Sequence, residues 1–546
     1  PMDQSTILLL IIVAYFLLLL GVAFYTARGS NNESFFVGNR NSKWWLVAFG
    51  MIGTSLSGMT FISVPGTVGN GAMGYFQVVL GYWIGYFIVA HVLLPVYYKM
   101  NLTSIYTYLE KRFGANAHKT GAFFFILSRT LGATIRLYLV IKVLEYFILR
   151  DLNISFEVTA IVILGLILLY TFKGGVKTIV WTDTLQTTFM LLALIVCIVY
   201  LMNNLQLNIG EAWSAMAEKG RTEIFATDVM KGNYFLKEII GGMVITIAMT
   251  GLDQEMMQKN ISVSKLKDSK KNMVVMGTMQ MIVVFIFLFL GGLLYLFAEA
   301  NGAGFVEVIN NGIATKQFIW NGVPVKGDDL FPTIAINSGL PFMLTVCFII
   351  GLISALFPSA DGALTALTSS FCIDILGMDK EKTKLEATKA LSAEEIEKKL
   401  SRKRLIVHNA FAVLFLLCVF FFREVDNGSL ISILLKLAGF TYGPLLGLFA
   451  FGLITKRKVA AKAPLLICIL AMFLTLGLDI VNNYQWYIPQ FNFDTEFANS
   501  LQNIGTSIFG NYKIGVELLL INAIITMILL YICSSNVKLS TKDTDY

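Results

Sequence analysis

Two aspartates and two arginines, Asp183, Asp361, Arg129 and Arg136, stand inside long apolar stretches. An ionised side chain left unpaired at membrane depth costs at least about 2.5 kcal/mol, so each is a functional candidate by default. A buried carboxylate can hold a cation, carry a proton, cap local backbone or pair with an arginine. A guanidinium matches a carboxylate bidentately, in charge and in shape. Arg129 and Arg136 are seven residues apart, about two helical turns, so they share one face. That face either meets an anionic solute or pairs internally, for example with Asp361 or Glu145. The residue types that enzymes need do not assemble. Cys197, Cys347, Cys372, Cys418, Cys468 and Cys533 lie inside apolar spans without a CxxC pair, and His91, His118 and His408 are scattered. No nucleophile–base pair or metal cluster emerges, which argues against an enzyme.

The elements that carry these residues are membrane spans. Of 546 residues 56% are hydrophobic and 14% charged, with a mean hydropathy of +0.70; a soluble domain has about 25% charged residues. Apolar runs such as Thr6–Tyr25, Met281–Phe297 and Val516–Cys533 each match a hydrocarbon layer of roughly 30 Å, and the pattern reads as about thirteen such helices. The net charge of +7 sits between spans, so it is no signal for nucleic acid. Alternate connections are basic: Arg28, Arg40 and Lys43; Lys111, Arg112 and Lys119; Lys173 and Lys177; Lys265 to Lys271; Arg402 to Arg404; Lys456 to Lys458. That asymmetry places the N-terminus outside and the C-terminus in the cytoplasm of a plasma (inner) membrane, with the lipid bilayer as a partner and a monomer as the working unit. The segment Asp379–Arg404 reads as a charged surface helix, and the loops near 300–337 and 483–512 could pack as a lid.

Ten central spans form two groups of five, 44–203 and 234–455, preceded by 1–43, separated by a loop at 204–233 and followed by 456–546. Each group opens with helix-disrupting residues: Gly50, Gly53 and Gly58 in the first, Gly241–Gly242 to Thr250–Gly251 in the second. An odd number of helices per group makes the repeats inverted. Paired broken helices in inverted repeats point to a transporter site near the midplane. Unwound backbone there is tolerable where something, such as a cation, satisfies its carbonyls. The alternative is that the glycines merely let helices pack closely.

Three motifs carry a family resemblance. Tyr170-Thr-Phe-Lys-Gly174-Gly175 with Trp181-Thr182-Asp183 and Gln186, Asp253-Gln254 to Gln258-Lys259, and Gly443-Pro444 to Gly452 with Lys456-Arg457 occur in order on separate spans. Together they resemble the sodium/solute symporters over nearly the whole chain. The resemblance implies an all-α polytopic protein with a LeuT-like 5+5 inverted repeat, one extra helix before it and two after. It also implies sodium-coupled symport of a small organic solute. Carried over by position, it makes Gly53, Leu56 and Ala355 carbonyl donors to sodium and Ser359 a hydroxyl donor. Where many members have two adjacent hydroxyls, this chain has Pro358 before Ser359. Proline frees a carbonyl one turn earlier, at Ser354, as a substitute. Asp361 and Gly362 replace small hydroxyl residues that, with the aspartate matching Asp183, form an additional sodium site in related members. Asp183 and Asp361 could share one ion. Substrate lining falls to Ser57, Thr60, Tyr75, Gln77, Arg129 and Arg136, with Phe76 beside them. The arginines favour an organic anion such as a sugar acid, carboxylate or amino acid. A neutral sugar or polyol is the alternative, as is proton coupling through Asp183 or Asp361 on the same fold.

Overall fold

The computed structural model describes residues 4–29, 32–171, 175–310, 313–337, 339–388, 391–425, 430–491 and 495–535. Phe172, Lys173 and Gly174 of the first motif fall outside these residues. The main helices are α1 (Gln4–Thr26), α2 (Trp44–Gly71), α3 (Tyr75–Lys99), α4 (Ala115–Leu144), α5 (Phe156–Thr171) and α6 (Gly175–Leu205). They continue as α7 (Phe235–Gly251), α8 (Gln254–Ile261), α9 (Leu266–Ala300), α10 (Phe342–Ser370) and α11 (Ala393–Val425), then α12 (Leu430–Ile454), α13 (Ala463–Asn482) and α14 (Leu518–Ile532). Among the described residues ten helices are long and apolar enough to span a bilayer. The pair α7–α8, bent by 64°, adds one broken span, and Phe156–Leu169 and Leu518–Ile532 are shorter apolar helices. Leu17, Leu192, Leu466 and Phe473 are more than half exposed, as lipid-facing side chains are when the surrounding solvent is hydrocarbon.

Both expected breaks are present, but glycine makes neither. In α2 the helix is interrupted at Ser57, with φ 49° and ψ 165°. A Cβ on neighbouring Gly58 would meet Val140 Cγ2 at 2.5 Å and Leu356 Cα at 3.7 Å, so Gly58 serves close packing. In α7 a Cβ on Gly242 would collide with the Val78 carbonyl, so this glycine too is taken up by a helix crossing. The helix runs on through a π-turn at Ile247–Gly251 and breaks at Leu252. Asp253 then caps α8, its carboxylate accepting from the amides of Glu255 (2.9 Å) and Met256 (3.3 Å).

The basic connections gather at one end of the bundle. Arg112 donates to the carbonyls of Thr455 (2.6 Å) and Arg457 (2.9 Å), Lys380 meets Glu110 at 2.6 Å, and Lys177 reaches the Arg28 carbonyl at 2.8 Å. The charged segment forms a helix at Met378–Thr388 and the first turns of α11, joined by Lys403 and Glu381 at 2.6 Å. At the other end, antiparallel strands β1 (Gly304–Asn310) and β2 (Ile313–Trp320) form a hairpin. Phe305 and Phe318 pack on Tyr295, whose hydroxyl donates to the Gly66 carbonyl at 2.9 Å. The 300–337 loop therefore caps the ends of α2 and α9.

A serine at φ 49°, ψ 165° sits where only glycine is at ease, at a cost of about 1–3 kcal/mol. Ser57→Gly is expected to raise unfolding stability by about 1 kcal/mol net of glycine's extra unfolded-state entropy. Thermal unfolding of the purified protein reads this; a lower melting temperature would contradict the strain.

Candidate functional site

The break in α2 opens beside a cavity of about 100 Å³ that α3, α4, α7, α8, α9 and α12 complete. Ser57, Thr60, Tyr75, Arg129 and Arg136 of the expected substrate residues line it. Gln77 does not: its amide is used up by the Ala226 amide (2.9 Å) and the carbonyls of Gly74 (3.1 Å) and Asn233 (3.4 Å). It anchors the loop beyond α6, and Phe76 packs on Phe285. The lining adds Tyr82, Tyr86, Thr246, Thr250 and Gln280. Tyr75, Tyr82 and Tyr86 follow helical spacing on one face of α3, which is the signal that could have placed them. The Tyr86 hydroxyl donates to Gln280 Oε1 at 2.5 Å. These hydroxyl and amide groups suit a solute with several hydrogen-bonding groups.

The two arginines differ sharply. Arg129 pairs through Nη2 with Glu255, and its Nε lies 3.9 Å from Asp253 Oδ2. Asp253 also accepts from the Tyr442 hydroxyl at 2.7 Å. Arg136, only 9% exposed, has no ion-pair partner among the described residues, and its Nε lacks any hydrogen bond.

Asp183 is not bare. Lys259 Nζ sits 2.7 Å from Asp183 Oδ2, 2.7 Å from Thr54 Oγ1 and 3.5 Å from Glu255 Oε1. Thr54 itself donates to Asp183 Oδ2 at 3.1 Å. An ammonium thus occupies the pocket that a second sodium would share with Asp183. Asp361 Oδ1 accepts from the Gly362 amide at 2.5 Å, and its carboxylate also acts electrostatically on Lys259. A Cβ at Gly362 would fall 2.9 Å from Glu255 Cδ and 3.0 Å from Lys259 Nζ. Glu255 and Lys259 went unremarked as a pair in the sequence, although their i, i+4 spacing on α8 is the ordinary helical ion-pair signal.

The residues expected to hold sodium lie on α2 and α10, which pack against each other. Gly53 faces Pro358, whose Cγ would be 3.5 Å from a Gly53 Cβ, while Gly58 faces Leu356. Leu56, Ala355 and Ser359 are buried at this crossing. The break at Ser57 takes the following N–H groups out of line with the preceding carbonyls, as at any helix end. Ser359 donates its proton to the Leu356 carbonyl at 2.8 Å, which leaves its oxygen lone pairs for a cation. The Ser354 hydroxyl is engaged by Tyr15 of α1 at 2.6 Å. Carbonyl and hydroxyl oxygens of this kind suit a hard monovalent cation.

Two helices interrupted beside an interior cavity, within a bundle of membrane-length apolar helices, define a multi-pass membrane protein of the LeuT-like fold. The profile of the Sodium:solute symporter family matches residues 35–461, and the chain belongs to that family. It is 23% identical to the sodium/sialic acid symporter SiaT of Proteus mirabilis over 81% of this chain and 83% of that protein. To the sodium-coupled monocarboxylate transporter 1 of Mus musculus it is 25% identical over 80% of this chain and 66% of that protein. A solved outward-open, substrate-bound sodium-coupled sialic acid symporter shares the fold, with a TM-score of 0.74 at 18% identity over 98% of this chain and 100% of the other. The protein is accordingly a sodium-coupled symporter and not an enzyme.

Removing one member of a buried ion pair costs about 3–5 kcal/mol, because the other charge is stranded. Lys259→Met should therefore destabilise the protein strongly. The double variant Asp183→Asn, Lys259→Met should lose less than the sum of the singles, by at least about 1 kcal/mol. Unfolding midpoints of the four proteins form the cycle; strict additivity would dissolve the pair.

Proposed function

We propose that the solute is an organic anion whose carboxylate docks on Arg136, carried with one sodium held by Gly53, Leu56, Ala355 and Ser359. The observation that carries this reading is the contrast between the arginines. Glu255 neutralises Arg129, while Arg136 is buried, lines the cavity and has no ion-pair partner among the described residues. An incoming carboxylate would relieve a desolvated guanidinium with bidentate, charge-assisted hydrogen bonds. The hydroxyls of Tyr82, Tyr86, Thr246 and Thr250, with the Gln280 amide, favour further polar groups on that anion, as a sugar acid has. The relatives named for sialic acid and monocarboxylate support the same class.

A stoichiometry of one sodium per solute follows from Lys259. Asp183 and Asp361 would hold a second ion only if the ammonium left Asp183 Oδ2 and Thr54 Oγ1. One sodium moving with a monoanion transfers no net charge. The roughly 2.3 kcal/mol that 100 mV would supply per elementary charge is then not available. A tenfold sodium gradient gives about 1.4 kcal/mol, hence about tenfold accumulation. Coupling is linkage: sodium fixes the turn before Ser57, and each ligand strengthens binding of the other. The basic end of the bundle supports a cytoplasmic C-terminus and an external N-terminus in the plasma (inner) membrane, with a monomer as the unit.

Thermal stabilisation across a panel of sugar acids, monocarboxylates, amino acids, neutral sugars and polyols, with and without sodium, tests the substrate class. Sodium-dependent shifts are expected only with carboxylates. Arg136→Gln should weaken the carboxylate by roughly 1.5–3 kcal/mol, or about 10- to 150-fold, while sparing sodium binding. Unchanged carboxylate affinity, or shifts with neutral sugars alone, would sink the reading. In proteoliposomes, uptake of the monoanion should follow the sodium gradient and ignore an imposed potassium diffusion potential. Uptake stimulated by an inside-negative potential would require a second cation.

A further inference from the structure

Helix α6 packs against both α2 and α10, yet nothing in the sodium set above comes from it. Its buried face carries Asp183 and, one turn on, Thr187, positions that lie one above the other on a helix. A threonine inside an α-helix ordinarily donates its hydroxyl proton to the carbonyl one turn back. The neighbours do so: Thr182 reaches Ile179 O at 3.1 Å, Thr184 reaches Val180 O at 2.8 Å, and Thr188 reaches Thr184 O at 2.9 Å. Thr187 does not. Its Oγ1 is fully buried and has no hydrogen-bond partner, an omission that costs about 1–3 kcal/mol in a dry environment.

The direction of that hydroxyl is informative. A Cβ built on Gly53 would run into Thr187 Oγ1 and would stand 3.5 Å from Pro358 Cγ. Gly53, Pro358 and Thr187 therefore surround one point between α2, α6 and α10, within four residues of the break at Ser57. Pro358 is the residue that leaves the α10 ligand set one hydroxyl short, and Thr187 is a hydroxyl without employment beside it. The Asp183 Oδ1 oxygen on the same stripe is also unpartnered, while Lys259 balances the charge of that carboxylate through Oδ2.

We propose that Thr187 Oγ1 is a sodium ligand, supplying from α6 the side-chain oxygen that Pro358 removes from α10. The proposal rests on the sodium site described above. It also explains why a bulkier residue is excluded at Gly53: a side chain there would occupy the space between the two helices that the ion and the hydroxyl need.

The test is sodium binding itself, read as thermal stabilisation of the purified full-length protein titrated with sodium chloride against choline chloride, without solute. Thr187→Val keeps the shape and removes the oxygen, and should raise the half-saturating sodium concentration at least about tenfold. Thr187→Cys, with a poor sulfur ligand for a hard cation, should do the same, and Thr187→Ser should stay near wild type. Thr188→Val, on the exposed side of α6, should change nothing. Adding Pro358→Ser to Thr187→Val should recover sodium affinity, a rescue that a packing role for Thr187 would not produce. Wild-type sodium affinity in Thr187→Val, or in Thr187→Cys if the valine variant does not fold, would overturn the proposal. A wild-type protein indifferent to sodium would instead overturn the sodium site on which it rests, and the proposal with it.

Discussion

Peptide carbonyls cannot be left bare in hydrocarbon, and the interruption of α2 at Ser57 leaves them so unless something binds there. The arrangement around this point follows from that constraint. The glycines of α2 bring α6 and α10 close, with Gly50 against Asp183, Gly53 against Thr187 and Pro358, and Gly58 against Leu356. The three helices thereby pack closely on either side of the interrupted turn. In the sodium site proposed above, the ion would complete that backbone, and its binding would set the conformation of the solute cavity on the other side of the break.

A second chain of interactions isolates this site from the remaining charge. Asp183, Lys259, Glu255, Arg129, Asp253 and Tyr442 are linked in sequence by ion pairs and hydrogen bonds that cross from α6 through α8 to α4 and α12. Such a network is expensive to desolvate and gives little net stability. Its effect is selective neutralisation. Charges that would otherwise attract ions or solute are cancelled within the protein, and the helix carrying Glu255 and Lys259 is the displaced half of the second broken span. Any rearrangement of that half-helix must carry these partners with it or separate them.

The architecture was legible in the sequence because hydropathy, charge asymmetry and the two interrupted segments are local or periodic signals. The site was legible only in part. Seven-residue spacing placed Arg129 and Arg136 on one face, but their different fates depend on Glu255, more than a hundred residues away in the chain. The breaks lie at Ser57 and Leu252, not on the glycines that advertised them, because those glycines are used where helices cross. Gln77 resembled a site residue, yet its amide bonds to a distant loop. Lys259 was visible in a motif without its meaning. Whether a lysine snorkels to the interface or neutralises a buried aspartate depends on where α8 bends, and the bend is a tertiary outcome.

Charge economy joins these observations to the way the protein couples its ligands. Along a helix, seven residues span about 10.5 Å, enough to place Arg129 beside the bent end of α8 and Arg136 beside the solute cavity. With Arg129 cancelled by Glu255 and Asp183 by Lys259, one guanidinium remains for the solute and one oxygen cage for sodium. In the proposed cycle a monoanion and a sodium ion would enter as a neutral pair, the carboxylate on Arg136 and the ion at the α2 break. The gain from electroneutrality is that neither ligand crosses the bundle as a bare charge in a low dielectric. The cost of such a cycle would be that the membrane potential could not drive accumulation. Had position 259 been neutral, the same carboxylates would invite a second sodium and the transport cycle would become electrogenic. The residue that would decide between these two regimes is Lys259, which reaches α2 through Thr54, a residue of the cavity wall.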